Sequence, residues 1–495
     1  MIDERNLWPL IETRAQHTPD AELIVSDEEG RAITFAEYRD ACLRAAAGLA
    51  HTGVGEGTNV SWQLPTWIES LVLVGALARL GAVQNPIIPI YRAREVGFAV
   101  KQTGANLVVV PSQWRGFDYQ AMANEVADGA EVLVADKQLP EGDPSSLPPE
   151  PAFDPEVVRW IFYTSGTTAE PKGARHTDGT VLAAACGMTE RLELTADDVS
   201  AMVFPFTHIG GIILLGASLM SGCQSVIVEA FDPVATTQLL HDSGVTLAGS
   251  GTIFHQAYLA EARKRAPEKL FPDVRAFPGG AAPKPPQLHH DLKKEIGGVG
   301  IVSGYGLTEC PIISMASVRD PDDKLAHTEG RATPGVELRQ VDGEIRVKAP
   351  QLCKGYLDES LNAEAFDEQG FFRTGDIGEL DDGYYVITGR LKDIIIRKGE
   401  NISAKEVEDL LHTHPKVAEA AVVGLPDPEL GERCCAVVVP RDAADPLGFQ
   451  EMVQFLKDQQ LMNQKIPEQL EKVDALPRNP TGKILKYELQ NRFKP

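Results

Sequence analysis

Phe162-Tyr163-Thr164-Ser165-Gly166-Thr167-Thr168-Ala169-Glu170-Pro171-Lys172-Gly173-Ala174 is the stretch that decides the fold. It joins an apolar run, residues 157–162, to a segment carrying four Ser/Thr hydroxyls, two glycines and Lys172. Backbone N–H groups exposed by glycine, short hydroxyls and a mobile ammonium can together wrap a polyphosphate. The spacing is not that of the nucleotide-binding G-x-x-x-x-G-K-[ST] loop, because six residues separate Gly166 from Gly173 and the lysine precedes the second glycine. Taken alone, the loop could also be a hydroxyl-rich surface turn.

The same arrangement, a short apolar run feeding a polar cluster, recurs downstream. Residues 199–204 lead into Pro205-Phe206-Thr207-His208, residues 274–277 into Gly279-Gly280-Ala281-Ala282, and residues 299–302 into Gly304-Tyr305-Gly306-Leu307-Thr308-Glu309. In open α/β sheets ligands gather beyond the carboxyl ends of strands, so four such clusters mark one site. Upstream, residues 34–52 read as an amphipathic helix, 59–64 as a strand, 67–80 as a buried helix and 82–89 as a strand ended by prolines. The alternation predicts an α/β layered domain, with the proline- and acid-rich stretch 139–154 as a surface connection.

From about residue 330 the texture changes to short strands and turns, at 336–341, 344–347, 370–374 and 384–388, closed by Thr374-Gly375-Asp376. This predicts a β-rich subdomain over about 330–388. After Gly389-Arg390-Leu391-Lys392-Asp393 comes an α+β tail, with helices at 406–411 and 449–461 and strands at 418–423 and 434–439. The fold class expected is therefore α/β: a large N-terminal domain of layered α/β subdomains plus a β-rich subdomain, followed by a small mobile α+β C-terminal domain. No tandem repeat appears.

Composition limits the partners. With 495 residues the chain is too long for one core. Seventy-one acids against 47 bases give a formal charge of −24, which argues against a nucleic-acid binder. The start Met1-Ile2-Asp3-Glu4-Arg5 lacks the features of a secretory signal. The longest apolar run, residues 209–220, is too short to span a bilayer. The chain ends Arg492-Phe493-Lys494-Pro495, which is not the peroxisomal Ser-Lys-Leu address. Seven scattered cysteines show no metal-ligand spacing. The expectation is a cytoplasmic protein with no membrane and no nucleic-acid partner; a homodimer is allowed for.

The ordered set resembles the ANL superfamily of adenylate-forming enzymes, which includes acyl-CoA synthetases, firefly luciferase and peptide-synthetase adenylation domains. The matching segments are 163–173, 205–208, 279–282, 305–309, 372–376, 389–393 and Pro480-Thr481-Gly482-Lys483, in the family's order over more than 300 residues. The resemblance implies two steps: a carboxylate attacks the α-phosphorus of ATP with loss of pyrophosphate, and a thiol then displaces AMP from the acyl-adenylate. Both place negative charge near one spot, so cations, Mg²⁺ and oriented donors are needed.

The resemblance implies a role for each residue. Lys483 bridges the carboxylate and the α-phosphate; Thr308 bonds that phosphate; Glu309 holds Mg²⁺ as a hard oxygen ligand, with Thr167 as a second metal residue. Thr164, Ser165, Gly166, Thr167, Thr168 and Lys172 take the phosphates. Tyr305 offers an aromatic face to adenine, while Gly279, Gly280, Ala281, Gly304 and Gly306 let backbone approach it. Asp376 accepts from the ribose hydroxyls, and Arg390 reaches ribose or phosphate. His208 stands near the acyl carboxylate, where the family usually has an aromatic residue, and shapes the thiol's approach. Lys392 matches the hinge, giving a division into an AMP-binding domain, residues 1–391, and a mobile domain, residues 392–495. Rotation about it brings Lys483 in for adenylation and withdraws it for thioester formation, while Lys398 and Gly399 come to face a pantetheine tunnel. The implied cofactors are ATP/AMP, Mg²⁺ and coenzyme A, and the partners a carboxylic acid or its acyl-adenylate.

Two positions depart from the family pattern. Ala169 stands where the loop usually has glycine, and its Cβ opposes positive φ or close phosphate approach, at about 1 kcal/mol. Asp178 replaces a common histidine and is expected to add negative charge near the phosphates. Both predict weak ATP-dependent adenylation with thioester formation from acyl-AMP retained. The cluster at 205–208 lacks the aspartate that holds an α-amine, which argues against amino acids, and no insertion precedes Gly389 of the kind found in carrier-loading ligases. Gly210, Gly211, Gly279, Gly280 and Gly304 suggest a roomy acyl pocket, and the chain is similar to bacterial ligases for cyclohexanecarboxylate and other alicyclic or terpenoid acids. The alternatives are a stand-alone ligase loading a carrier protein, and a non-catalytic acyl-adenylate or nucleotide binder.

Overall fold

The computed structural model describes residues 1–28, 31–164, 171–280, 284–397, 400–479 and 482–494, with backbone only at Glu400 and Asn401. Ser165, Gly166, Thr167, Thr168, Ala169, Ala281, Lys398 and Gly399 lie outside the described residues. The chain forms two compact units. One comprises the described residues up to Glu337 together with Val347–Phe372; the other comprises Leu338–Arg346 and the described residues from Arg373 onward. The boundary expected at Lys392 concerns a hinge rather than packing and remains a proposal.

The first unit is built on three sheets. One orders Lys172–Thr177, Val158–Thr164, Val83–Pro86, Asn59–Trp62, Leu107–Val110 and Glu131–Val134, all parallel except the antiparallel first strand. The second runs Val199–Met202, Gln224–Ile227, Glu22–Ser26 and Ala32–Thr34; the third runs Phe277–Gly280, Ile301–Tyr305, Ser314–Met315 and Arg331–Ala332. Leu247 bridges Ser200 and Ala276, which joins those two sheets in parallel. The inner parallel strands are largely buried, polar residues included, because helices cover both faces. Helix Ile68–Leu80 is accordingly buried along nearly its whole length against Phe35–His51, as its all-round hydrophobicity predicts.

Most of a four-stranded sheet, ordered Glu337–Val341, Glu344–Lys348, Phe372–Asp381 and Tyr384–Arg390, belongs to the second unit. Its five-stranded sheet has Gly431–Pro440 at its centre, paired along its length with Val417–Asp427, and is packed by helices Ala404–His412, Phe449–Asp458 and Lys486–Phe493. No described helix in either unit is long and apolar enough to cross a membrane.

Three strands run past the ends expected from sequence. Phe277–Gly280 and Ile301–Tyr305 carry Gly279, Gly280, Gly304 and Tyr305 inside the ladder rather than in loops. Likewise Gly375 and Asp376 lie within the long strand Phe372–Asp381, where Asp376 pairs with Arg390. Glycine depresses strand propensity locally, but pairing with the neighbouring strand outweighs it.

Candidate active site

In the first unit the residues flanking the hydroxyl-rich loop are register partners: Thr164 ends one strand and Lys172, opposite it, begins the next. The strand from Lys172 also pairs on its other side with the segment around Tyr356, through an Ala174–Tyr356 bridge and hydrogen bonds from Arg175 N to Gly355 O and from Leu357 N to Gly173 O. This seats the Tyr356 ring beneath Lys172, whose Nζ lies 5.2 Å from the ring centroid. The Tyr356 hydroxyl donates to Glu309 Oε1 at 2.6 Å. Burial, then the carboxylate, hold its pKa far above the usual phenol range, so it stays a donor.

Thr308 is held by a histidine that sequence reasoning passed over. His176, fully buried, contacts the Thr308 carbonyl through Nε2 at 2.8 Å and Thr180 Oγ1 through Nδ1 at 3.0 Å. Burial pushes its pKa down to about 4, so it is neutral at pH 7 and donates from Nε2 to the carbonyl. Period-two alternation does put His176 on the same face as the buried Ala174; what it meets 132 residues later carries no local signal. Tyr356 is equally silent in sequence.

His208 precedes helix Ile209–Ser221 and caps it, its Nδ1 accepting from Gly210 N at 3.1 Å. The proton therefore sits on Nε2, and burial lowers the pKa to about 4. His208, Thr207, Thr308, Tyr163 and Pro171, the residue before Lys172, line one cavity whose remaining wall includes Ile87 and Tyr91. It is small, about 30 Å³. Residues of three separate sequence clusters thus meet at one place.

The glycines do not make an acyl pocket roomy, contrary to the sequence reading. A Cβ on Gly211 would meet Phe206 O at 2.3 Å, on Gly279 it would meet His255 Cε1 at 2.9 Å, on Gly280 it would meet Gly304 O at 2.7 Å, and on Gly210 it would meet His208 Nδ1 at 3.0 Å. On Gly304 it would rest against Met315 and Ser314 at 3.4 Å. The space is already filled, and the glycines let backbone approach backbone. Gly306 serves the turn after Tyr305 in the same way, since a Cβ there would meet Ile312 N at 2.5 Å. Tyr305 itself is buried at a strand end, opposite Ser314.

Asp178 also departs from expectation. It opens helix Asp178–Leu192, beyond the far end of the six-residue strand from Lys172, about 20 Å along an extended chain. Its buried carboxylate accepts from Trp160 Nε1 at 2.8 Å and Leu7 N at 2.9 Å, and burial raises its pKa. It ties the N-terminal helix Leu7–His17 to the sheet, with a helix N-terminus favouring the charge, and adds nothing at the phosphate loop.

In the second unit Asp376, 1 % exposed, is paired with Arg390 Nε at 2.7 Å. Gly375 takes φ +69° just before it, its N–H donating to Glu344. Lys483 stands on a turn closed by Asn479, whose Oδ1 accepts from Lys483 N and whose N–H donates to Lys483 O, each at 2.8 Å. Burial, then the positive charges of Arg390 and Lys392, lower the Lys483 pKa to about 8 against the opposing pull of Asp376 and Asp393. Lys483, Arg390 and Asp376 are therefore electrostatic neighbours. Lys392 is exposed in the single turn Leu391–Asp393.

Comparisons with known proteins identify the family. The AMP-binding enzyme family model matches residues 11–357, and the AMP-binding enzyme C-terminal domain model matches 406–483. The chain is 32% identical to the medium-chain fatty-acid–CoA ligase of Escherichia coli (strain K12), over 96% of this chain and 88% of the relative. It is also 32% identical to the 7a-methyl-1,5-dioxo-octahydro-1H-inden-4-yl-propanoyl:CoA ligase of Rhodococcus jostii (strain RHA1), over 95% of each. Among solved structures, the o-succinylbenzoate coenzyme A synthetase of Bacillus subtilis in complex with ATP and magnesium superposes with a TM-score of 0.83 at 28% identity, covering 97% of this chain and 98% of that one.

Proposed function

The chain belongs to the AMP-binding enzymes of the ANL superfamily, and on that footing we propose that it is an AMP-forming acid:CoA ligase working through an acyl-adenylate. The observation that carries the reading is the meeting of Pro171, His208 and Thr308 around one cavity, with Lys172 and Glu309 on either side of Tyr356. In this reading Lys172 and the loop hydroxyls take the triphosphate, Thr308 bonds the α-phosphate, and Tyr305 and the glycine strands flank adenine. Asp376 accepts from the ribose, with Arg390 beside it. Lys483 offsets the charge shared by the carboxylate and the α-phosphate. Glu309 suits Mg²⁺: Tyr356 occupies Oε1 and leaves a hard oxygen donor, the kind that ion prefers. When bound, that cation neutralises phosphate charge and polarises the reacting centre. Neutral His208 presents an N–H beside the cavity, whose apolar wall at Ile87 and Tyr91 suits a pantetheine arm.

A bulky alicyclic or terpenoid-like acid is the substrate class we favour, supported by the likeness to the octahydroindenyl-propanoyl:CoA ligase and not by the glycines. The acid reaches its place only if side chains around the small cavity move. The protein is proposed to act in the cytoplasm, as a homodimer, with Lys392 as the hinge between half-reactions. The test is a mass-spectrometric screen of alicyclic, aryl and medium-chain acids with ATP and CoA, beside their synthetic adenylates. Thioester from at least one acid or adenylate is expected. AMP binding with no thioester from any would overturn the reading in favour of a nucleotide binder, and acyl transfer to carrier protein but not CoA would favour the carrier-loading alternative.

Ala169 carries a finer expectation, now without Asp178: adenylation is slow relative to thioester formation. Ala169→Gly should raise pyrophosphate exchange about five- to tenfold, the equivalent of roughly 1 kcal/mol, which is what a Cβ costs where the family's glycine takes positive φ, and leave thioester formation from acyl-AMP unchanged. Exchange that is already fast in the natural protein and indifferent to the substitution would contradict it.

A further inference from the structure

We infer that Tyr356 is a positioning residue that keeps the phosphate-binding Lys172 and the metal-binding Glu309 from neutralising each other before ATP arrives. The inference rests on the proposed roles of those two residues, and it begins from the place of the ring. Tyr356 is 3 % exposed, and its backbone is fixed by the bridge to Ala174 and by the hydrogen bonds on either side of it. Its two faces of chemistry point to opposite charges. The π face lies 5.2 Å from the Lys172 ammonium, within the range of cation–π attraction. The hydroxyl donates to Glu309 Oε1 at 2.6 Å, the length of a strong charge-assisted bond. Glu309 is held from behind as well, its carbonyl accepting from Cys353 N at 2.8 Å.

An ammonium and a carboxylate that share one tyrosine have opposite charges to satisfy, and among the described residues no direct ion pair joins Lys172 to Glu309. A direct pair would have to be broken for the lysine to take phosphate and the glutamate to take Mg²⁺. The phenol satisfies each charge with a neutral group instead, which costs little to keep when the ligand binds. It also fixes one carboxylate oxygen and leaves the other open, so the rotamer that Mg²⁺ requires is set in advance.

Tyr356→Phe removes the hydroxyl and keeps the ring; Tyr356→Leu removes both. Calorimetric titration of ATP at a series of Mg²⁺ concentrations gives the metal midpoint of ATP binding, and AMP binding without metal serves as the fold control beside the melting temperature. For Tyr356→Phe the Mg²⁺ midpoint should rise about tenfold, the worth of one hydrogen bond to a charged group, with AMP affinity and melting temperature unchanged. For Tyr356→Leu the ATP affinity should fall further at saturating Mg²⁺, because Lys172 is then captured by Glu309; adding Lys172→Met to it should bring the Mg²⁺ midpoint back toward that of Tyr356→Phe. A Tyr356→Phe protein whose Mg²⁺ midpoint is unchanged or lower overturns the inference, as does loss of AMP binding in parallel, which would mark the ring as packing only. If the natural protein binds ATP with no dependence on Mg²⁺, the proposed function fails first and on its own evidence.

Discussion

At the scale of the single residue, the sharpest consequence concerns Lys483. A buried ammonium beside Arg390 and Lys392 is disfavoured in its charged form, which is why its pKa falls to about 8. The sign follows directly: the proton is held below that value and lost as pH rises through it, and only the protonated form can offset the charge of the α-phosphate. ATP–pyrophosphate exchange should therefore decline above about pH 8 with the loss of one proton, while thioester formation from a synthetic acyl-adenylate lacks that limb. Lys483→Ala should cost exchange on the order of 10²–10³ and abolish the limb. A profile for exchange that is flat to high pH would contradict the assignment. His176 and His208 add no limb near neutrality, since burial keeps both uncharged above about pH 4.

At the scale of the element, the strands Phe277–Gly280 and Ile301–Tyr305 depend on glycine in a way that a substitution can expose. Gly280 and Gly304 are parallel register partners, and a methyl on Gly280 would sit 2.7 Å from the Gly304 carbonyl oxygen. Neither strand can yield without opening the ladder, so Gly280→Ala should destabilise the first unit by about 1–3 kcal/mol and weaken AMP binding together with the melting temperature. A variant that melts normally and binds AMP as before would show that the close approach is not needed. The same strands mark the limit of legibility in the sequence. The ordered clusters from Tyr163 to Lys483 are readable because chemistry dictates residue types at strand ends, and the alternation of apolar runs yields the layered α/β class. Glycine-rich segments read as loops because propensity is local, whereas the pairing that makes them strands is not. For the same reason the glycines suggest empty space, Asp178 suggests a charge at the phosphates, and Tyr356 suggests nothing. What decides each of these positions is a partner far along the chain: Gly304 for Gly280, Trp160 and Leu7 for Asp178, Lys172 and Glu309 for Tyr356.

At the scale of the whole molecule, the proposal asks one protein to run two reactions with opposite needs, since Lys483 helps adenylation but its charge is not wanted where the thiol attacks. A hinge at Lys392 resolves the conflict if the backbone there can change state. The turn Leu391–Asp393 is one short 3₁₀ turn following Arg390 in extended backbone, and Lys392 is exposed. Proline at 392 would fix φ near −65°, inside the range of a 3₁₀ turn, at some cost to Leu391, which a following proline biases toward extended backbone. Lys392→Pro should therefore trap one state and reduce one half-reaction about a hundredfold or more, while the other stays within a few-fold. Lys392→Ala removes the charge but not the freedom, and should change neither by more than a few-fold. Pyrophosphate exchange and thioester formation from acyl-adenylate, measured side by side on both variants with melting temperatures as the fold control, separate the two effects. Equal loss of both reactions in Lys392→Pro would make residue 392 an ordinary structural position, and equal retention would make it a linker. Loss on Lys392→Ala alone would assign the effect to the ammonium, which the two positive neighbours of Lys483 make a testable electrostatic alternative.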